Sequence, residues 1–241
     1  TVLMGALTLM LPRRFAPIPL VAIGMYMTMG QIVDVFGLHF DMLRVMILFG
    51  WARLILRSEV AEIEFNEIDI ALLAWVLVNV ACYSLRELSG QALINRLGFA
   101  YDVIGFYFFF RCLVRDREDC LTLIRAIALL AIPLACLMLL EKATGRNLFS
   151  YFGGVPEFTP ERDGRLRCGG PFRHPIMAGT FGAVAFPLCV GLWFAGKDRA
   201  AAVAAAVASP VMVVTSASSG PVLAFVAGIL ALSAWMLRNY M

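Results

Sequence analysis

Apolar runs alternate with short polar breaks along almost the whole chain. Stretches bounded by charges, glycine or proline predict helices at 1–11, 17–31, 41–56, 68–84, 92–113, 119–141, 174–195, 199–216 and 220–237. Several approach the roughly 20 residues needed to cross a hydrocarbon core of about 30 Å. The pattern predicts an all-α, polytopic transmembrane helical bundle with eight or nine apolar helical segments. The 17–31 run is short, and "GQIVDVFGLHFD" after it reads as a re-entrant or interfacial piece. His39 falls there, near Asp34 and Asp41, where a structural role is the preferred reading. "AAAVAAAV" at 200–207 offers a small-residue face for close helix packing in lipid. The chain opens on Thr1 with a run too short to span and closes at Met241 just past a basic helix end. The expectation is a single membrane domain over 1–241, cut from a longer protein.

Composition agrees with that pattern. Of 241 residues, 61% are hydrophobic and only 15% are charged, against about 25% charged in a soluble domain. The mean hydropathy is +0.83. These values argue against a soluble helical domain. The six cysteines, Cys82, Cys112, Cys120, Cys136, Cys168 and Cys189, form no CxxC pair and lie mostly in or at the ends of apolar runs. There they serve as small hydrophobes, so neither a metal site nor a disulfide framework is expected. No nucleic-acid partner is expected either.

Charge changes the picture by giving the bundle a direction. One set of alternate loops and helix ends holds ten basic residues: Arg13, Arg14, Arg53, Arg57, Arg111, Arg115, Arg117, Lys197, Arg199 and Arg238. Apart from one long loop, the opposite set holds Arg44, Arg86 and Arg96. The first set is expected to face the cytoplasm, which puts the long 142–174 loop on the outer side. That loop is nonetheless basic: Lys142, Arg146, Arg162, Arg165, Arg167 and Arg173 stand against Glu157, Glu161 and Asp163. Positive charge is disfavoured on that side, so a functional reason is sought.

Arginine presents a planar fork that suits phosphate oxygens and stays charged where water is scarce. Gly169 and Gly170 allow close backbone approach to an anion, and Pro171 stiffens the turn. A helix beginning near His174–Pro175 aims its positive end the same way. For any one arginine, contact with lipid headgroups or with Glu157, Glu161 or Asp163 is an equal alternative. For Arg165, Arg167 and Arg173 together, an anion site is the favoured reading. His174 can act as acid, base or donor, or as a turn or capping residue. "TSASSGP" at 215–221 places Ser218, Ser219 and Gly220 on the same expected face, either as a second half of the site or as a plain helix linker. Asp102, inside "LGFAYDVIGFYFFF", reads equally as a functional carboxylate or as one half of a pair with Tyr101 or with an arginine of another helix. Arg125 reads as a snorkelling residue. The acidic run Glu59, Glu62, Glu64, Glu67 and Asp69 reads as a solvated loop.

Together the two polar segments carry a resemblance. "GRLRCGGPFRHPIMAG" at 164–179 resembles the R-x-x-G-x-F-x-(H/N)-P-x-x-x-(G/A) element of the O-antigen ligase and O-antigen polymerase superfamily, and "TSASSGPVLAFVAGIL" at 215–230 is similar to its T-x-S-(R/S)-G-x-x-L-A helix. Exopolysaccharide polymerases are similar. The resemblance covers roughly the last third of the chain.

It implies a bacterial inner-membrane glycosyltransferase with the 142–174 loop in the periplasm. Such an enzyme takes a glycan from undecaprenyl diphosphate and passes it to a glycan, lipid or protein acceptor, among membrane lipids, with no cofactor, metal or nucleotide sugar. It implies that arginines compensate the leaving diphosphate. Arg165 or Arg167 matches the family's arginine, Arg165 better by spacing, and His174 and Pro175 match the (H/N)-P pair. Ser219 stands where many ligases carry arginine, as in polymerase branches. A large periplasmic loop with the ligases' catalytic histidine is expected beyond Met241. The competing readings are a transporter or flippase for a lipid-linked glycan or another anion, and a membrane scaffold.

Overall fold

The computed structural model describes residues 1–28, 30–35, 38–60, 64–196 and 198–235. Among these, nine α-helices appear in the expected order: α1 (Val2–Met10), α2 (Pro17–Tyr26), α3 (Met42–Leu56), α4 (Glu67–Glu87), α5 (Gly90–Leu113), α6 (Arg117–Thr144), α7 (Pro175–Phe194), α8 (Arg199–Thr215) and α9 (Ser219–Ala234). Four of them, α4 to α7, are long and apolar enough to cross a membrane, while α8 and α9 are apolar but shorter. The chain is thus a helical membrane protein. Lys197, Arg238 and Glu62 lie outside the described residues, as does the end of the expected 220–237 helix.

Two short hairpins interrupt the helices, an addition to the all-α expectation. The "GQIVDVFGLHFD" piece folds as antiparallel strands β1 (Ile32–Val35) and β2 (Leu38–Asp41), with Asp34 opposite His39 along the backbone. Ile32, Val33 and Val35 give the first strand its β-branched residues, which favour extended over helical backbone. The second hairpin, β3 (Glu161–Arg162) with β4 (Arg165–Leu166), turns through Asp163 and Gly164, whose φ angles are 52° and 71°. Asp-Gly is the usual occupant of a turn with two positive φ values.

Contacts divide the chain into two compact units, Thr1–Leu20 with Leu43–Asp119, and Val21–Met42 with Cys120–Met241. In the first, α3 meets α5 through glycines. A Cβ on Gly50 would stand 2.6 Å from the Phe109 ring, and one on Gly105 would stand 2.5 Å from Ile47 Cγ2. Only glycine lets the two backbones come that close. Asn66 and Asp69 form a reciprocal capping box at the start of α4.

In the second unit, α8 buries Ala202, Ala205, Ala208, Ser209 and Met212, a stripe at helical spacing. Its alanines meet Ala128, Cys189 and Leu192. This is the close packing expected of the alanine-rich run. Gly182 lies against α8, where a Cβ would be 2.6 Å from the Ser209 carbonyl. Leu134 and Met138 of α6, Ala178 of α7, Met212 of α8 and the loop's Cys168 close one apolar core.

Candidate functional site

The site is built at one end of α6. That helix runs through Lys142 to Thr144, so the loop begins later than the apolar pattern indicates. In the last helical turn, Glu141 is buried. Its carboxylate accepts from the Gly169 amide at 3.1 Å, the Gly170 amide at 2.9 Å and the Thr159 hydroxyl at 3.1 Å. A carboxylate at a helix C-terminus opposes the helix dipole, and these three donors offset that. Asn147 Nδ2 donates to the Gly170 carbonyl at 2.7 Å, and Lys142 Nζ donates to the Leu166 carbonyl at 2.7 Å. Gly170 has φ +55° and a Cβ there would sit 3.4 Å from Met138, so the turn requires glycine.

The Gly169 and Gly170 amides, expected to approach a substrate anion, are therefore already held by an anion of the protein itself. Their role here is to shape the loop. Glu141 carries this arrangement and went unrecognised in the sequence. A lone glutamate ending an apolar run gives no sign of what it holds.

The loop's next residues reach the second polar segment. Cys168 donates its amide to the Thr215 carbonyl at 3.0 Å. Arg167 Nη2 donates to Ser218 Oγ at 2.9 Å, and Ser218 in turn donates to the Ser216 carbonyl at 3.0 Å. Gly179, one turn into α7, lies so close to this knot that a Cβ would be 2.4 Å from Ser216 Oγ and 2.7 Å from Pro221. Thus the 164–179 and 215–230 segments are joined by hydrogen bonds and by a glycine contact. Arg167, not the arginine preferred by spacing, makes the link: Arg165 is exposed in β4, while Arg167, one residue beyond the strand, is half-buried. Arg167 Nε is buried with no partner among the described residues.

Around this junction lie Arg165, Arg173, His174, Ser219 and Gly220, all exposed. The side chains of Arg165, Arg173 and His174 have no hydrogen bond or ion pair among the described residues. His174 occupies the N-cap position of α7, ahead of Pro175, but its imidazole makes no capping bond. The side-chain capping alternative is thereby removed. Ser219 opens α9, and Ser218 at the N-cap uses its hydroxyl on Arg167 and Ser216 rather than on the helix. The loop's remaining arginines are occupied: Arg146 faces Glu157 at 3.9 Å, and Arg162 faces Asp163 at 3.6 Å. Burial pushes the Cys168 thiol up to about 12, with the Glu141 carboxylate adding to the effect.

Other candidates resolve differently. Asp102 sits in the first unit and is held by Arg44 as a two-pronged pair, Nε to Oδ1 at 2.9 Å and Nη2 to Oδ2 at 2.8 Å. Tyr101 donates to the Arg44 carbonyl at 2.9 Å. Asp102 is thus one half of an interhelical pair.

The acidic run is not a solvated loop throughout: Glu59 and Asp69 are buried, and this corrects that reading. Glu59 takes both prongs of Arg53, at 2.9 and 3.0 Å, and Asp69 accepts from Tyr107 at 2.6 Å. Arg53 is itself buried and donates to the Thr8 and Leu11 carbonyls at 2.7 Å each, satisfying the end of α1. Arg125 pairs with Asp198 rather than simply snorkelling.

No family model matches the chain, and neither a curated protein nor a solved structure matches it.

Proposed function

We propose that the chain is the membrane portion of a glycosyltransferase of the O-antigen ligase or polymerase type, acting on the outer face of a bacterial inner membrane. Its donor is a glycan on undecaprenyl diphosphate, and its acceptor is a glycan or lipid hydroxyl. The observation that supports this most is the junction of the two polar segments through Arg167–Ser218 and Cys168–Thr215. It leaves Arg165 and Arg173, two forks without a partner among the described residues, beside one apolar bundle.

In this reading Arg165 and Arg173 bind the diphosphate and offset the negative charge that grows as it leaves. Arg167 is a positioning residue. It holds the loop to the start of α9 and offers its remaining donors to the same anion. His174, exposed and free of a capping role, is placed to accept the proton of the attacking hydroxyl. Helices α8 and α9, packed along α7, complete the spans. The transport reading draws less support, because the intramembrane carboxylate it would use, Asp102, is already neutralised by Arg44.

The test is replacement of Arg165, Arg167 and Arg173 singly by alanine and by lysine in the host, at matched membrane levels. Surface glycan is followed on gels, and polyprenyl-linked glycan by extraction. Alanine at Arg165 or Arg173 is expected to lower surface glycan by about tenfold or more, with build-up of the lipid-linked donor, and lysine is expected to restore little because the fork is lost. Normal glycan in all six variants would overturn the assignment.

A further inference from the structure

The first unit contains a second basic site, unrelated to the loop. Between α4 and α5 lies a cavity of about 380 Å³ lined by Trp75, Asn79, Cys82, Tyr83, Arg86 and Arg96, among others. Arg96 stacks its guanidinium 3.7 Å over the Tyr83 ring. Stacking fixes the plane of the group and uses its face, which leaves the in-plane N–H donors for an acceptor. Nη1 makes one long bond to Asn79 Oδ1 at 3.4 Å, and Nε is buried with no partner among the described residues. Arg86, on the same cavity, reaches only Glu87 at 3.7 Å. No carboxylate is among the residues lining the cavity. Arg96 therefore has no carboxylate partner among the described residues and Arg86 has only the exposed Glu87 beside the recess, whereas Arg44 and Arg53 of the same unit are each gripped at 2.8–3.0 Å by both oxygens of a carboxylate.

The surroundings indicate which anion fits. Both helices are of membrane-crossing length. Arg96 lies six residues into α5, about 9 Å from its start. An α-helix of this length, about 36 Å, exceeds a 30 Å hydrocarbon core by only a few ångströms at each end. That places Arg96 just below headgroup level, within reach of a phosphate. Leu77, Leu93 and Leu97 are exposed apolar side chains on the same two helices and offer a surface for acyl chains.

We propose that this cavity binds the phosphate of an anionic membrane phospholipid, gripped by the Arg96 fork with Arg86 at its rim.

The experiment uses the purified protein in neutral detergent. Native mass spectrometry and thermal unfolding are read against added phosphatidylglycerol, phosphatidylcholine or inorganic phosphate. The wild type is expected to retain phosphatidylglycerol and to be stabilised by it, with little response to phosphatidylcholine or inorganic phosphate. Arg96→Gln is expected to weaken phosphatidylglycerol binding by about tenfold and Arg86→Gln by about threefold, since a charge-assisted fork contact is worth more than a rim charge. Arg117→Gln, which removes an exposed charge elsewhere, is expected to change nothing. Should Arg96→Gln fail to fold, Arg86→Gln against Arg117→Gln decides. Equal losses in those two variants, no preference for phosphatidylglycerol over phosphatidylcholine, or an equal response to inorganic phosphate would each overturn the proposal.

Discussion

Arg44 and Arg165 stand beside apolar helices in the two units, yet their surroundings are opposite. Arg44 is gripped by both oxygens of Asp102, while Arg165 has no partner among the described residues. The contrast extends further. In the first unit Arg53 holds Glu59, and Arg13 and Arg14 both hold the buried Asp119. In the second unit the buried carboxylate at the end of α6, Glu141, accepts from two glycine amides of the loop and a hydroxyl. Glu157 and Asp163 face Arg146 and Arg162. Among the described residues no carboxylate pairs with Arg165 or Arg173. A charge near lipid is stabilised by an internal counter-ion where it serves the fold; in the proposed function Arg165 and Arg173 take theirs from the substrate.

The comparison breaks most visibly at Arg53. Arg53→Ala leaves Glu59 and the last carbonyls of α1 buried without donors, so a loss of about 3–5 kcal/mol is expected. Unfolding in graded SDS would measure it, and wild-type stability would show that Arg53 is not the hub of its cluster.

Glu141→Ala should cost about 3 kcal/mol, because the Gly169 and Gly170 amides lose their acceptor. Glu141→Gln retains one acceptor oxygen and should cost less. If that variant instead matches alanine, the full charge rather than hydrogen bonding holds the turn.

Gly179→Val forces a branched side chain onto Ser216 and Pro221. A loss of about 1–3 kcal/mol is expected from overpacking, together with reduced glycan output if the junction forms the site. Arg44→Gln with Asp102→Asn removes both charges at once. A net cost under about 1 kcal/mol and unchanged glycan output are expected, since replacing both partners of a pair is far milder than removing one. Loss of output at wild-type stability would return Asp102 to the list of functional residues.

The smallest effect sharpens the contrast without altering it. Cys168, raised to about 12, stays a neutral thiol through neutral pH. It should resist maleimide at pH 8 in the folded protein and react once unfolded, while Cys120 at the exposed start of α6 labels readily. Because the unfolded thiol loses its proton first as pH rises, this group contributes stability that is lost above its ordinary value near 9 and towards 12.

How much of this was legible varied with the range of the forces involved. The nine helices among the described residues were legible because each is decided by a local run of apolar residues, and most stop within a residue or two of Gly, Pro, Ser or charge; α2 is the clear exception, stopping at Tyr26 short of the expected residue 31. The β1–β2 pairing was not legible, because a short apolar run with a break supports either period and the piece reads only as re-entrant or interfacial. The Asp163–Gly164 turn was legible in principle from its dipeptide. The arginine cluster was visible as composition, but Glu141, Glu59 and Asp69 were not distinguishable from surface acids. Their burial depends on partners that lie 18 to 38 residues away for Thr159 and Tyr107, and only 6 away for Glu59, where a chain reversal intervenes.

The sequence by itself determined that this is a helical membrane protein, where its apolar segments lie, and that one loop is unusually basic. Those properties follow from transfer of side chains out of water and need only local order. The tertiary structure alone decided which charges are matched. It placed Arg167 on Ser218, closed Glu141 over the Gly169–Gly170 turn, and paired Arg44 with Asp102. Hydrogen bonds and ion pairs act over a few ångströms, so they exist only once distant segments have been brought together.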